Sequence, residues 1–96
     1  MIKHIVLFKF KDYSENIKNV EEIKRDLEAL KTIIPQLISI KAGINVNPKE
    51  AYHLALEVEV KDMADLEIYA THPEHLKVGK RIREILDSRS CVDYQI

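Results

Sequence analysis

The spacing of the apolar residues changes along the chain, and this change restricts the fold more than any other feature of the sequence. Apolar residues two apart are typical of a half-buried strand, whereas residues three and four apart are typical of an amphipathic helix. The two patterns follow one another in the order strand, helix, strand, strand, helix, strand. This order predicts one α+β domain over residues 1–96, with the ferredoxin-like βαββαβ arrangement: a four-stranded antiparallel sheet with its helices on one face.

The first half of the chain supplies a strand and a long helix. The segment from Ile2 to Phe10 has apolar side chains on both faces and is therefore expected in the middle of the sheet. The helix is expected to have Ser14 as its N-cap and to be stopped by Pro35. One apolar stripe of this helix is predicted to face the core, namely Ile17, Val20, Ile23, Leu27, Leu30 and Ile34.

The second half supplies the remaining elements. Leu37 to Val46 and His53 to Lys61 alternate with a period of two and are predicted strands. Asp62 is expected to cap a short helix, and Thr71-His72-Pro73 is expected to break it and start another. A closing strand is predicted from Ser90 to Ile96. The short helix has Met63, Leu66 and Tyr69, and the inner side of the following helix is predicted to be Leu76, Val78, Gly79, Ile82, Ile85 and Leu86.

A sheet with helices on one side leaves its other face uncovered. For four strands of five residues this face exposes on the order of 400–600 Å², near the upper limit for an apolar patch on a monomer. The pattern there is mixed, and it favours a homodimer in which the uncovered faces of two copies meet. The residues predicted on this face are Ile5 and Leu7 of the first strand and His53, Ala55, Glu57 and Glu59 of the third.

Charge and composition exclude several classes of partner. The formal net charge is −1, from 15 basic and 16 acidic residues that are mostly interleaved, so neither a nucleic-acid nor a membrane partner is expected. No apolar run is long enough for a signal peptide or a membrane span. The single cysteine, Cys91, precludes an intramolecular disulfide and suits a reducing compartment, so the cytoplasm is the expected location.

Several side chains are expected to meet between the sheet and the helices. His75 lies in the first turn after Pro73, where the helix N-terminus disfavours a protonated imidazole. A neutral histidine suits a general base, and the Tyr69 hydroxyl just before the break could stabilise an enolate. This pair predicts proton abstraction beside a carbonyl, with no cofactor. Tyr69 and His75 are the candidate catalytic residues, and the candidate ligand-binding residues are His4, Val6, Phe8, Leu54, Leu56 and His72.

Each of these polar residues also has an ordinary structural interpretation, which the sequence leaves open. His4 would then be a structural histidine at a strand start, and Tyr69 a core residue with its hydroxyl at the rim. His72 would be a capping residue, and His75 an exposed residue at a helix start.

Metal and nucleophilic chemistry are not expected. His72 and His75 are only three residues apart across a proline, and no carboxylate joins them at a suitable spacing. Ser88, Ser90 and Cys91 have no evident base partner in the sequence.

Four stretches of the chain together resemble the stress-responsive A/B-barrel (Dabb) family. They are the opening Ile2 to Asp12, the turn Gly43-Ile44-Asn45, the segment from Tyr69 to His75 with its His-Pro-x-His motif, and Val92-Asp93-Tyr94. The similarity extends over essentially the whole chain, with the elements in the right order. It implies a ferredoxin-like fold paired back to back as a dimeric α+β barrel.

The resemblance extends to stress-induced plant proteins, many uncharacterised bacterial proteins and the olivetolic acid cyclases, which close a polyketide thioester by aldol condensation. It places Tyr69 and His75 at the positions of the tyrosine and histidine used by those cyclases, and His4 at a further pocket histidine. Another pocket histidine falls on Leu54, and bulky pocket aromatics are replaced, for example by Val20. Because of these departures, the resemblance does not imply polyketide cyclisation.

Three functions are consistent with these patterns. The first is a small dimeric protein that binds an apolar or carbonyl-bearing ligand between sheet and helices. The second is a cofactor-independent enzyme, an aldol-type cyclase or isomerase, with His75 as base and Tyr69 as oxyanion partner. The third is a structural assembly protein of the stress response. A cavity of roughly 300 Å³ or more would favour the first two over the third.

Overall fold

A computed structural model describes all 96 residues, and it contains the predicted elements in the predicted order. The strands form one antiparallel sheet in the order β2-β3-β1-β4, so the ferredoxin-like fold is confirmed, as is the central position of the first strand. The elements are β1 Ile2–Phe10, α1 Tyr13–Ala29, β2 Ser39–Ile44, β3 Leu54–Val60, α2 Met63–Thr71, α3 Pro73–Ile85 and β4 Leu86–Gln95.

The core lies between the covered face of the sheet and the helices. The alternation along β1 turns Val6, Phe8 and Phe10 into this layer, where all three are buried. Helix α1 contributes Ile23 and other residues of its predicted stripe, and the nineteen buried residues form a single cluster. No helix of this fold is both long enough and apolar enough to cross a bilayer.

Helix α1 differs from its prediction at both ends. It begins at Tyr13 and not after Ser14, with Asp12 at the N-cap in the left-handed conformation (φ 47°, ψ 50°) and without a side-chain capping hydrogen bond. The Asn16 amide donates to the carbonyl oxygens of Lys11 and Asp12 at this turn. The helix ends at Ala29 and tightens into a 3₁₀ turn over Leu30–Thr32, before the proline is reached.

Strand β2 is shorter than predicted. Ile38 and Val46 lie outside the strand, and both are exposed, Val46 to 95%, so their inclusion in the predicted strand is wrong. The ladder stops at Ile44 because Asn45 folds the chain: its side chain accepts from the amide of Asn47 and donates to the carbonyl of the same residue.

The alternation predicted His53 on the uncovered face, and this prediction is wrong. It precedes β3, and its ring stacks on Tyr13 with centroids 3.9 Å apart. Its Nδ1 accepts a hydrogen bond from the backbone N–H of Phe10 at 3.0 Å.

The last two elements also differ from expectation. Strand β4 begins at Leu86 and pairs with β1 over almost its whole length, so it is longer than the predicted strand. The assignment of Leu86 to the preceding helix is therefore wrong. In α3 the buried residues are Val78 and Ile82, whereas Leu76 is exposed and its assignment to the inner side is wrong.

The uncovered face of the sheet has an apolar region beside an ion-pair network. Leu7 is 37% exposed and Val92 is 54% exposed, and Ile5, two residues from Leu7 on the same strand, pairs directly with Val92. Lys3 lies on the same face and donates to Glu59 at 3.1 Å. The mixed character predicted for this face is therefore confirmed.

The core position of Ile23 gives a test of this packing. Replacing Ile23, which is 1% exposed, by alanine is expected to lower the free energy of unfolding by about 2–5 kcal/mol, because it leaves a cavity under α1. Ile17 was predicted in the core-facing stripe, but it is 46% exposed at the start of the helix, so that assignment is wrong. Ile17→Ala is therefore the matched control on the same helix, with an expected loss below about 1 kcal/mol. Urea unfolding of both variants at one protein concentration checks this; equal losses would contradict the packing described.

Candidate functional site

A cavity of about 540 Å³ lies between the covered face of the sheet and the second pair of helices. Its sheet side is apolar and consists of Val6, Phe8 and Leu56. Helices α2 and α3 supply its opposite wall, and the covered face of β4 supplies polar side chains at one end, including Asp93. Its volume lies within the range of about 300–1,000 Å³ that is typical of small-molecule sites.

Six of the eight residues proposed from the sequence line this cavity, namely His4, Val6, Phe8, Leu56, Tyr69 and His75. Leu54 does not line it, because it is the first residue of β3 and lies next to the β2–β3 connection. His72 does not either. It is the N-cap of α3, and its Nδ1 accepts from the backbone N–H of Glu74 at 3.1 Å.

The break between α2 and α3 brings the two candidate catalytic side chains together. Helix α2 ends at Thr71 and α3 begins at Pro73, so the chain changes direction within one residue. Tyr69 projects from the last turn of α2 and His75 from the first turn of α3, and their ring centroids are 4.4 Å apart. His4 approaches Tyr69 from the sheet with a centroid distance of 6.3 Å.

The hydrogen bond of His75 determines its tautomer. Its Nδ1 lies 2.9 Å from the carbonyl oxygen of Ala70, which can only accept, so Nδ1 bears the proton. In the neutral ring Nε2 is then an unprotonated acceptor. Burial lowers the pKa of His75, and the Ala70 hydrogen bond opposes this only in part. The arrangement keeps His75 neutral near pH 7, as a general base requires.

The Tyr69 hydroxyl is buried and has no hydrogen-bond partner in the protein. The residue is 1% exposed, and burial raises the pKa of its phenol, so the hydroxyl stays protonated and able to donate. An unpaired buried hydroxyl costs about 1–3 kcal/mol. An acceptor within hydrogen-bond distance of this hydroxyl would remove that cost.

His4 has partners that the sequence did not reveal. Its Nδ1 lies 2.5 Å from Oδ1 of Asp93 and 3.5 Å from Sγ of Cys91. The expectation that Cys91 has no base partner is therefore wrong, because the His4 imidazole lies within contact distance of its sulfur. Both contacts are made to the same ring nitrogen, however, so the carboxylate cannot hold the imidazole while its other nitrogen activates the thiol. Burial raises the pKa of the Cys91 thiol, which further disfavours a thiolate.

The same three side chains are also a set of metal-ligating groups, with ligand atoms within 4.8 Å of one another. The 2.5 Å between the His4 and Asp93 atoms is a hydrogen-bond distance, shorter than the spacing of about 3.3 Å for two ligands on one tetrahedral zinc. The contact between His4 and Asp93 is therefore a hydrogen bond.

Most of the charged cavity residues missed from the sequence come from β4 and the end of α3. Arg83, Arg89 and Asp93 line the cavity, and of these only Asp93 lay in a stretch that the sequence analysis singled out, with no role at the site. The sequence does contain a signal, because Arg89, Cys91 and Asp93 are two apart and therefore share a face of β4. Only the register, which pairs His4 with Asp93, shows that this face adjoins the cavity.

Comparison with known proteins assigns this chain to a family. The model of the stress responsive A/B barrel domain matches residues 2–96. A stress-response A/B barrel domain-containing protein of Arabidopsis thaliana is 32% identical over 97 residues, which is 98% of this chain and 36% of that protein. The chain thus spans about a third of the length of the curated relative that it matches.

Solved structures agree with the fold. A dimeric ferredoxin-like protein of unknown function from Bacteroides fragilis is 41% identical, with a TM-score of 0.94 over 99% of this chain and 95% of that one. A hydroxynitrile lyase from Passiflora edulis has the same fold at 22% identity, with a TM-score of 0.84 over 99% of this chain and 92% of its own. With the family model matching almost every residue, the chain belongs to the stress-responsive A/B barrel (Dabb) domain family.

Proposed function

We propose that this domain binds a small, mainly apolar, carbonyl-bearing ligand in the cavity between its sheet and helices. The observation on which the proposal rests is the buried, unpartnered Tyr69 hydroxyl on a 540 Å³ cavity. Val6, Phe8 and Leu56 offer an apolar surface for the body of such a ligand. A carbonyl oxygen accepts a hydrogen bond and donates none, so it matches a hydroxyl that has only its proton to offer.

A second candidate function, cofactor-independent proton transfer on that ligand, is favoured by the tautomer of His75. Its Nδ1 is taken by the Ala70 carbonyl, which leaves Nε2 to accept a proton. A base of lowered pKa beside a hydroxyl donor suits abstraction of a proton from the carbon next to a carbonyl. A purely structural assembly role requires neither a cavity nor an unpaired buried hydroxyl.

In this reaction the proton moves only between the ligand and this chain. His75 Nε2 takes the proton from the α-carbon, and the C–H electron pair forms the enolate while the carbonyl π electrons move to oxygen. The Tyr69 hydroxyl donates a hydrogen bond to that oxygen, whose charge grows in the transition state. Return of the proton from His75 to the opposite face of that carbon completes an isomerisation. In an aldol step the enolate carbon attacks a second carbonyl of the same ligand, and the alkoxide that forms takes the proton from His75. The Passiflora edulis hydroxynitrile lyase shares the fold, which is thus compatible with an enzyme.

Exchange of the α-protons of 2-octanone in D₂O, followed by proton NMR, tests both parts of the proposal. The wild-type protein is expected to accelerate the exchange over buffer. Tyr69→Phe removes only the hydroxyl and should slow the catalysed exchange about 10²-fold or more, as for loss of an oxyanion donor. His75→Gln removes the base and should slow it about 10²–10⁴-fold.

Matched controls are available within the chain. Tyr13→Phe and His53→Gln change a tyrosine and a histidine that stack on each other outside the cavity, and both should leave the exchange rate unchanged. Loss of activity in these controls equal to that in the cavity variants would contradict the assignment. Binding of 2-octanone without catalysed exchange would support the ligand-binding function and remove the enzymatic one.

We also propose a homodimer formed through the uncovered face of the sheet. The Bacteroides fragilis relative, which is 41% identical, is dimeric. Leu7 and Val92 are exposed side by side with Ile5, and a depression of about 460 Å³ beside Leu7 offers a second apolar contact. Burial of such a patch by a second copy removes apolar surface from water and stabilises a domain of this small size. The free thiol of Cys91 suits a reducing compartment, so we place this dimer in the cytoplasm.

Light scattering coupled to size exclusion tests the dimer. The wild-type chain of 11.2 kDa is expected to elute with twice that mass. The double variant Leu7→Glu, Val92→Glu places charges on the apolar region and should elute as a monomer. Leu76→Glu changes an exposed leucine of α3 instead and should remain dimeric. A monomeric wild-type protein would overturn this part of the proposal.

A further inference from the structure

One end of the cavity has two arginines without ionic partners. Arg83 of α3 and Arg89 of β4 both line it, and neither belongs to any ion pair of the structure. Arg81, on the outside of α3, is different, since it donates to Asp26 at 2.7 Å. Two guanidinium groups beside an apolar cavity therefore have unused donors.

The guanidinium of Arg83 lies close to Gly79. His75, Gly79 and Arg83 are four residues apart and lie on one face of α3. A Cβ at Gly79 would lie 3.3 Å from Nη1 of Arg83. The arginine thus folds back over the glycine, along the helix and toward His75. This glycine has an ordinary helical conformation, so its role here is to leave space.

Arg89 approaches from the sheet. The register places it opposite Phe8 on the covered face, two residues from Cys91. The charges of both arginines lower the pKa of His75, in addition to the larger effect of burial, so both act on the same site. Asp93 and Glu67 also line the cavity, but neither forms an ion pair with Arg83 or Arg89, and Asp93 lies against His4.

We propose that the ligand of this cavity is a carboxylate, held by Arg83 and Arg89 through its charged end and by the apolar side of the cavity through its chain. The inference rests on the proposed function and deepens it, because a carbonyl at Tyr69 and a carboxylate at the arginines together define an oxocarboxylic acid. Guanidinium groups match the planar carboxylate with paired, charge-assisted hydrogen bonds. Both arginines are solvent-exposed, so added salt is expected to weaken their attraction for the carboxylate.

Calorimetric titration of the full chain with octanoate and with octanamide isolates the charge, because the two probes have the same chain length. Octanoate is expected to bind at least about tenfold more tightly than octanamide. Arg83→Gln and Arg89→Gln should each remove most of that preference while leaving octanamide binding unchanged. Arg81→Gln is the matched control on the same helix and should retain the preference.

Gly79→Ala tests the position of the guanidinium without changing any charge. Because Gly79 also lines the cavity, the added methyl group can affect both probes, and octanoate binding is expected to weaken more than octanamide binding. The melting temperature of the variant should not fall, because alanine is the better helix former, so weakened binding would not reflect unfolding. Octanoate binding as tight as in the wild-type protein would contradict the placement of Arg83.

The outcomes separate this inference from the proposed function. Equal affinity for octanoate and octanamide, no binding of either, or an equal loss in Arg81→Gln would overturn the carboxylate assignment. Catalysed exchange of 2-octanone, which has no carboxylate, would persist in those cases if the proposed function itself is right.

Discussion

The backbone hydrogen bonds that β1 makes to β3 on one side and to β4 on the other determine which side chains meet in this domain. Alternation along β1 turns His4, Val6 and Phe8 toward the helices and Ile5 and Leu7 toward the uncovered face. One strand thus contributes to the cavity and to the face proposed for dimerisation. A register shift of one residue would exchange the two sets and remove both.

The helices complete the cavity through a local break in the chain. Pro73 cannot continue α2, and His72 uses its side chain to cap the helix that follows. Tyr69 and His75 therefore lie on two helix ends that face one another, with the Ala70 carbonyl close enough to fix the His75 tautomer. The free-energy cost of burying an unpaired phenol and an imidazole is offset by a core of nineteen residues. The same burial raises the pKa of Tyr69 and lowers the pKa of His75, as the proposed chemistry requires.

The periodic pattern of the sequence was sufficient for the fold and for part of the site. The strand and helix order, the Asp62 cap and the break at Pro73 follow from local rules, and all three are present in the structure. These rules also brought Tyr69 and His75 together, because both flank the break. Turn geometry was less predictable: side-chain hydrogen bonds of Asn45 ended β2 early, where alternation alone would have continued it.

The remaining site residues depend on tertiary register, which local patterns do not encode. Asp93 reaches His4 only because β4 pairs with β1 in one alignment. The Arg83 side chain passes close to Gly79, a proximity that no local pattern of the sequence indicated.

The central claim is that His75 is a neutral base with a free Nε2 in a cavity shared with Tyr69. Long-range nitrogen–proton NMR of the ¹⁵N-labelled protein reports the tautomer and the titration of this ring directly. We predict a proton on Nδ1 and a pKa below the ordinary value of about 6.5, because burial disfavours the charged ring. A proton on Nε2 in the neutral ring, or a pKa at or above that value, would contradict this claim.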